Sequence, residues 1–112
     1  MSDCIFCKIA TSEIPSQKVY EDEDVFAFRD LHPQAPQHVL IIPKRHIAKL
    51  ADASSADRSL LGTMLLTASR IAREIGMDSF RVVMNNGESA GQSVWHVHLH
   101  LLAGRSFQWP PG

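Results

Sequence analysis

Residues 93–103 read SVWHVHLHLLA, and this alternation constrains the fold more than any other stretch of the chain. A β-strand turns successive side chains to opposite faces. Val94, His96, His98, His100 and Leu102 therefore share one face, and Trp95, Val97, Leu99, Leu101 and Ala103 the other. The second set is wholly apolar, so it needs another layer to cover it. The histidine face is left for a ligand or for water.

The covering layer is legible upstream. Ser54 with Asp57 three residues later resembles a capping box. From there Leu60, Leu61, Met64, Leu65, Ala68, Ile71, Ala72 and Ile75 recur at helical spacing, and Gly76 is placed to cap the end. Short β-type runs surround this helix: VYE (19–21), DVFAFRD (24–30), HVLIIP (38–43) and FRVVMN (80–85). The links between them are LHPQAPQ (31–37) and the glycine-containing NGESAGQS (86–93), and the tail is RSFQWPPG. With no repeat or linker, the expectation is one α+β domain over 1–112, an antiparallel sheet covered by one long helix.

Composition removes several functions. At 45% hydrophobic and 21% charged residues the chain is an ordinary globular one, and its net charge of −1 disfavours a binder of long nucleic acid. No apolar run reaches membrane-spanning length, and the start MSDCIFCKIATSEIPS has no signal-peptide pattern, so a cytoplasmic protein is expected. Cys4 and Cys7 are too few for a disulfide framework, and no strand precedes them as in a thioredoxin-type motif. A zinc half-site is the better functional reading of the pair, and two ordinary thiols the bland one.

Spacing also limits the histidine row. Alternate residues of a strand stand about 6.7 Å apart, and the ends of the row about 13 Å. Two neighbouring imidazoles can converge on one metal with bonds of about 2.0–2.1 Å, but the third cannot readily join them. A solvated strand face would account for one histidine, not for three in register behind a glycine loop. A neutral imidazole with one nitrogen on a backbone carbonyl keeps its other lone pair for attack. Such a row suits attack on phosphorus, with GQS (91–93) offering backbone N–H groups and a hydroxyl to phosphate oxygens.

HVHLHLL fits the HxHxHxx pattern of the histidine-triad superfamily, and FRDLHPQAPQHVLIIPKRHI, GQSVWHVHLHLLAGR, IFCKI and WPPG fit its surroundings. Over nearly the whole chain the sequence resembles the purine nucleoside phosphoramidate hydrolase branch of that superfamily. The resemblance implies a five-stranded antiparallel sheet with one long helix and a short N-terminal helix, and a homodimer whose sheets join. It implies binding of purine nucleoside monophosphates and hydrolysis of P–N bonds in their amine or lysine adducts. His98 would be the nucleophile, His100 would donate to the phosphate, and His96 would orient His98. Ser93 and Gly91 match the phosphate-side loop, and Asn85 a phosphate or ribose contact. Asp30 would hold the ribose hydroxyls, while Phe6, Ile9, Phe28 and Leu31 would shape the base pocket. Trp109 would reach towards the partner's site.

Some relatives in that superfamily hold a structural zinc with a CxxC pair, an upstream strand histidine and the first triad histidine. The matching set is Cys4, Cys7, His38 and His96. The alternative, matching zinc-free relatives, is that His38 only hydrogen-bonds His96. His32 and His46 read as surface residues, and Lys44 and Arg45 as a solvated pair. Two further functions stay open at this point: a regulatory nucleotide-binding or scaffold protein, and a metal-dependent hydrolase built on the histidine strand.

Overall fold

The computed structural model describes residues 3–112; Met1 and Ser2 lie outside the described residues. In chain order the elements are α1 (Ile5–Ala10), β1 (Lys18–Glu21), β2 (Val25–Arg29), β3 (Gln37–Pro43), α2 (Arg58–Glu74), β4 (Phe80–Val83) and β5 (Leu99–Ala103). The five strands form one antiparallel sheet in the order β1-β2-β3-β5-β4. This is the expected α+β architecture.

The capping box forms as read: the Ser54 hydroxyl accepts from Ala56 N–H, and the Asp57 carboxylate accepts from Ser54 N–H. It opens a 3₁₀ turn, Ser55–Asp57, that runs directly into α2. At the other end Gly76 adopts φ +78°, and the Gly76 and Met77 N–H groups bond the Arg73 and Ala72 carbonyls. Glycine suits this left-handed position because it carries no Cβ.

Strand alternation sorts the core into two layers. On one face Ala27, Val39, Ile41, Leu99 and Leu101 pack against Met64, Ala68, Ile71 and Ala72 of α2. On the other, Phe26, Phe28, Leu40 and Ile42 pack against Phe6, Ile9 and Ala10 of α1. Leu40 lies opposite His100 in the register, so the histidines share the α1 face. Met64 is fully buried. A Met64→Ala variant should lose about 2–5 kcal/mol of stability, read as a lower urea midpoint at unchanged slope.

Two expectations are corrected. The final strand spans Leu99–Ala103, not 93–103, because β3 ends at Pro43 and the ladder ends with the Ile41–Leu99 pair. Beyond that point the Pro43 carbonyl accepts from the His96 ring, and Val97 N–H bonds the Ile47 carbonyl instead. Alternation therefore fails at Trp95, which is 45% exposed, and it holds from Val97 onward. In α2, Leu65 is exposed rather than core.

Candidate active site and metal centre

β3 and the segment 96–100 bring four histidines to the α1 face. His98 is buried, and its Nδ1 donates to the His96 carbonyl at 2.8 Å. That bond places the ring proton on Nδ1 and leaves the Nε2 lone pair available. Burial holds His98 below the usual imidazole range, against the opposing pull of the His96 carbonyl and Asp30. The Phe6 ring meets it edge-on, with centroids 5.1 Å apart.

His100 is fixed in the other tautomer. Gln34 N–H donates to His38 Nδ1 at 3.0 Å, so the His38 proton sits on Nε2. That Nε2 donates to His100 Nδ1 at 2.9 Å, and His100 then carries its own proton on Nε2. Asp30 stands 3.5 Å from His38 Nε2, and its other oxygen accepts from His32 N–H. Burial, with repulsion from His98 and His38, pushes His100 down to about 4. The unfolded histidine titrates near 6.5, so between those values the unfolded chain binds more protons. The stability from neutral His100 is complete above about pH 6.5 and lost as pH falls towards 4. Urea midpoints across pH 4–7 should show this decline, and His100→Asn should flatten it.

The remaining triad member faces elsewhere. His96 is fully buried, and its Nε2–H donates to the Pro43 carbonyl at 2.8 Å. Its Nδ1 lone pair lies 3.3 Å from Cys4 Sγ, 3.5 Å from Cys7 Sγ and 3.2 Å from His46 Nδ1, and Cys7 Sγ lies 3.4 Å from His46 Nδ1. A tetrahedral zinc with ordinary bond lengths spaces nitrogens about 3.3 Å apart and nitrogen from sulfur about 3.6 Å. Two thiols and two imidazoles at these separations fit zinc.

The fourth residue of this cluster is His46, not His38. The correction follows from register. His38 lies opposite Leu102, so the level of His96 is reached about six residues further along β3, roughly 20 Å away. His38 is instead diagonal to His100, and its ring bonds that residue rather than His96. His46 follows Pro43 by three residues and so meets His96 where the ladder stops. It is exposed at its edge, as a surface residue would be, yet it faces the cysteines. Lys44 and Arg45, expected as a solvated pair, each reach an acidic partner instead of water alone: Lys44 bonds Glu21, and Arg45, itself exposed, bonds the buried Asp57.

The other candidate residues divide by burial. Phe6, Ile9 and Phe28 are buried together beneath the histidines, with Phe6 edge-on to Phe28 at 5.5 Å. Leu31 is 88% exposed beside Asp30, and Trp109 is 82% exposed. The tail bearing Trp109 is pinned by Arg81, which bonds the Gln108 carbonyl, and by Arg81 and Arg105 against the Phe107 ring. Ser93 and Gly91 are exposed, and Asn85 is half-buried beside Gly91. Gly91 takes φ +103°, which favours glycine. Buried Gln92 braces this loop: it accepts from Gly87 N–H and donates to the Ala48 and Val94 carbonyls. The sequence reading used Gln92 only as part of GQS, and its lone amide among small residues was the available signal.

Comparison with known proteins agrees with this layout of fold and site. The HIT domain profile matches residues 11–107. The chain is 52% identical over 111 residues to an uncharacterized HIT-like protein of Synechocystis, covering 98% of this chain and 97% of that one. It is 52% identical over 114 residues to a 14 kDa zinc-binding protein of Zea mays, covering 99% and 89%. The crystal structure of a HIT family hydrolase from Legionella pneumophila superposes with TM-score 0.97 at 49% identity, covering 98% and 100%. The chain belongs to the HIT family, within the histidine-triad superfamily.

Proposed function

We propose that this protein is a purine nucleotide-binding hydrolase that cleaves the P–N bond of nucleoside 5′-monophosphoramidates, such as AMP linked to an amine or to lysine. The observation that carries this reading is the His98 Nδ1–His96 carbonyl bond, which aims an unprotonated Nε2 out of the row. In the first step the Nε2 lone pair attacks phosphorus as the P–N bond breaks, and the leaving nitrogen takes a proton from water and departs as the amine. His100, protonated on Nε2, donates to a phosphoryl oxygen, and the loop around Gly91 and Ser93 supplies further donors. Water then attacks phosphorus and gives up a proton to solvent, the P–Nε2 bond breaks, and nucleoside monophosphate leaves as neutral His98 is regenerated. Asp30 holds the ribose hydroxyls, Asn85 contacts ribose or phosphate, and Leu31 caps the base over the Phe6, Ile9 and Phe28 layer.

Zinc belongs to the same reading as a structural ion held by Cys4, Cys7, His46 and His96. When bound it ties the N-terminal segment to the triad. The similarity to a protein named for zinc binding supports this. A metal-dependent hydrolase on the histidine row is less favoured, because the facing nitrogens of His38 and His100 are engaged in hydrogen bonds. We also assign a homodimer, with edge strand β4 available for pairing, and a cytoplasmic location; no helix among the described residues is long and apolar enough to cross a membrane. Rapid quenching of a reaction with an amine-linked adenylate should trap nucleotide on His98. A substrate chiral at phosphorus should react with overall retention from two inversions, and net inversion would exclude the two-step route.

A further inference from the structure

We infer that the Cys4–Cys7–His46–His96 centre is a peroxide-accessible switch that sets the position of His98. The inference rests on the hydrolase reading of His98 and extends it to regulation.

Two links join the centre to the nucleophile. His96 contributes its ring nitrogen to the centre, while its backbone carbonyl holds His98 Nδ1 at 2.8 Å. Phe6 lies between the two cysteines in sequence, and its ring meets both His96 and His98 edge-on, with centroids 6.0 and 5.1 Å away. A change at the cysteine pair therefore reaches His98 by two routes, the His96 ring and the Phe6 ring.

The centre is also open. Cys4 and His46 line a cleft of about 450 Å³ with Ile5, Ser93 and Trp95, and both Cys4 and Cys7 are half-buried. A sealed structural site would admit neither an oxidant nor a chelator. This cleft admits both, and it opens beside Ser93 of the phosphate-side loop. The sulfurs lie within 4.8 Å of each other, and three-residue spacing allows them to join.

The reaction balances with a peroxide. The two thiolates give up two electrons and form one S–S bond. The O–O bond of hydrogen peroxide breaks, takes up those electrons and two protons, and yields two waters. Zinc leaves as the divalent ion, unchanged in oxidation state. The disulfide draws Cys4 and Cys7 away from His96, so the His96 ring keeps its bond to the Pro43 carbonyl but loses the cysteine side of its setting, and Phe6 shifts with the turn that carries both sulfurs.

The test uses intact zinc-loaded protein treated with hydrogen peroxide. Zinc release is read with a chromogenic chelator, disulfide formation by intact mass, and the His98 Nδ1–H by its proton resonance. The expected result is about one zinc per chain released together with one disulfide, loss of the resonance to exchange, and nucleotide transfer to His98 slowed about 10- to 100-fold. Reductant plus zinc should restore all of these. Zinc retained under peroxide, or released while the resonance persists, would overturn the proposal. A Cys4→Ser, Cys7→Ser variant should show the oxidised resonance pattern without peroxide and no further response to it; a response that persists would also overturn it. If neither state transfers nucleotide to His98, the hydrolase reading fails, and the resonance still decides the switch.

Discussion

A His98→Ala variant will bind purine nucleoside monophosphates with near-native affinity and lose phosphoramidate turnover by about four orders of magnitude or more. The asymmetry follows from what the ring contacts. Among the described residues the His98 ring makes one hydrogen bond, the donation to the His96 carbonyl, and on the proposed mechanism its other nitrogen serves the reacting phosphorus alone. Removing the ring leaves Asp30, the 86–93 loop and the Phe6 layer in place, so ground-state binding survives. Isothermal titration with AMP and steady-state kinetics on an amine-linked adenylate read the two halves. Equal losses in both would mean that the ring binds nucleotide rather than attacks it. If a cellular role also survives the substitution, the scaffold reading gains.

The second large effect separates two histidines. A His46→Ala variant, purified without chelator, should contain far less zinc than the wild type, whereas His38→Ala should keep near-stoichiometric zinc by elemental analysis. Loss of a metal ligand should also lower thermal stability, by roughly 10 °C for a loss of about 2 kcal/mol in a domain of this size. His38→Ala should instead lower kcat, because His100 Nδ1 loses the donor that keeps its proton on Nε2. The opposite pattern, zinc lost with His38 and retained with His46, would reverse the assignment drawn from the register.

Most of the framework was legible because it rests on local rules. The capping box at Ser54, the glycine stop at Gly76 and the apolar alternation from Val97 to Ala103 all appear where the residues indicate. The tautomer of His98 was also foreseeable in kind, since a histidine aimed at a substrate needs its other nitrogen engaged. The membership of the Cys4–Cys7–His46–His96 cluster was not legible, because it depends on cross-strand register, which no single strand records. Knowing that Leu40 lies opposite His100 places His38 beside His100, and the end of the ladder at Pro43 leaves His46 to meet His96. The end of the last strand was hidden for the same reason: Pro43 closes the ladder from the far side. Leu65 fits the helical period yet stands 53% exposed at the open rim of an apolar hollow it shares with Leu61, Val82 and Leu99, a degree of cover the period alone does not record.

The two-faced strand has a consequence for how such chains can diversify. One residue inserted or deleted at the start of this segment, just before His98, would turn His98 and His100 into the α2 layer and bring Leu99 and Leu101 out to the α1 face. Reactivity and solubility would be lost in one event, with no partial intermediate to select. Length variation among viable descendants should therefore collect in the tail after Gly104, while the seven residues from Val97 to Ala103 drift by replacement alone.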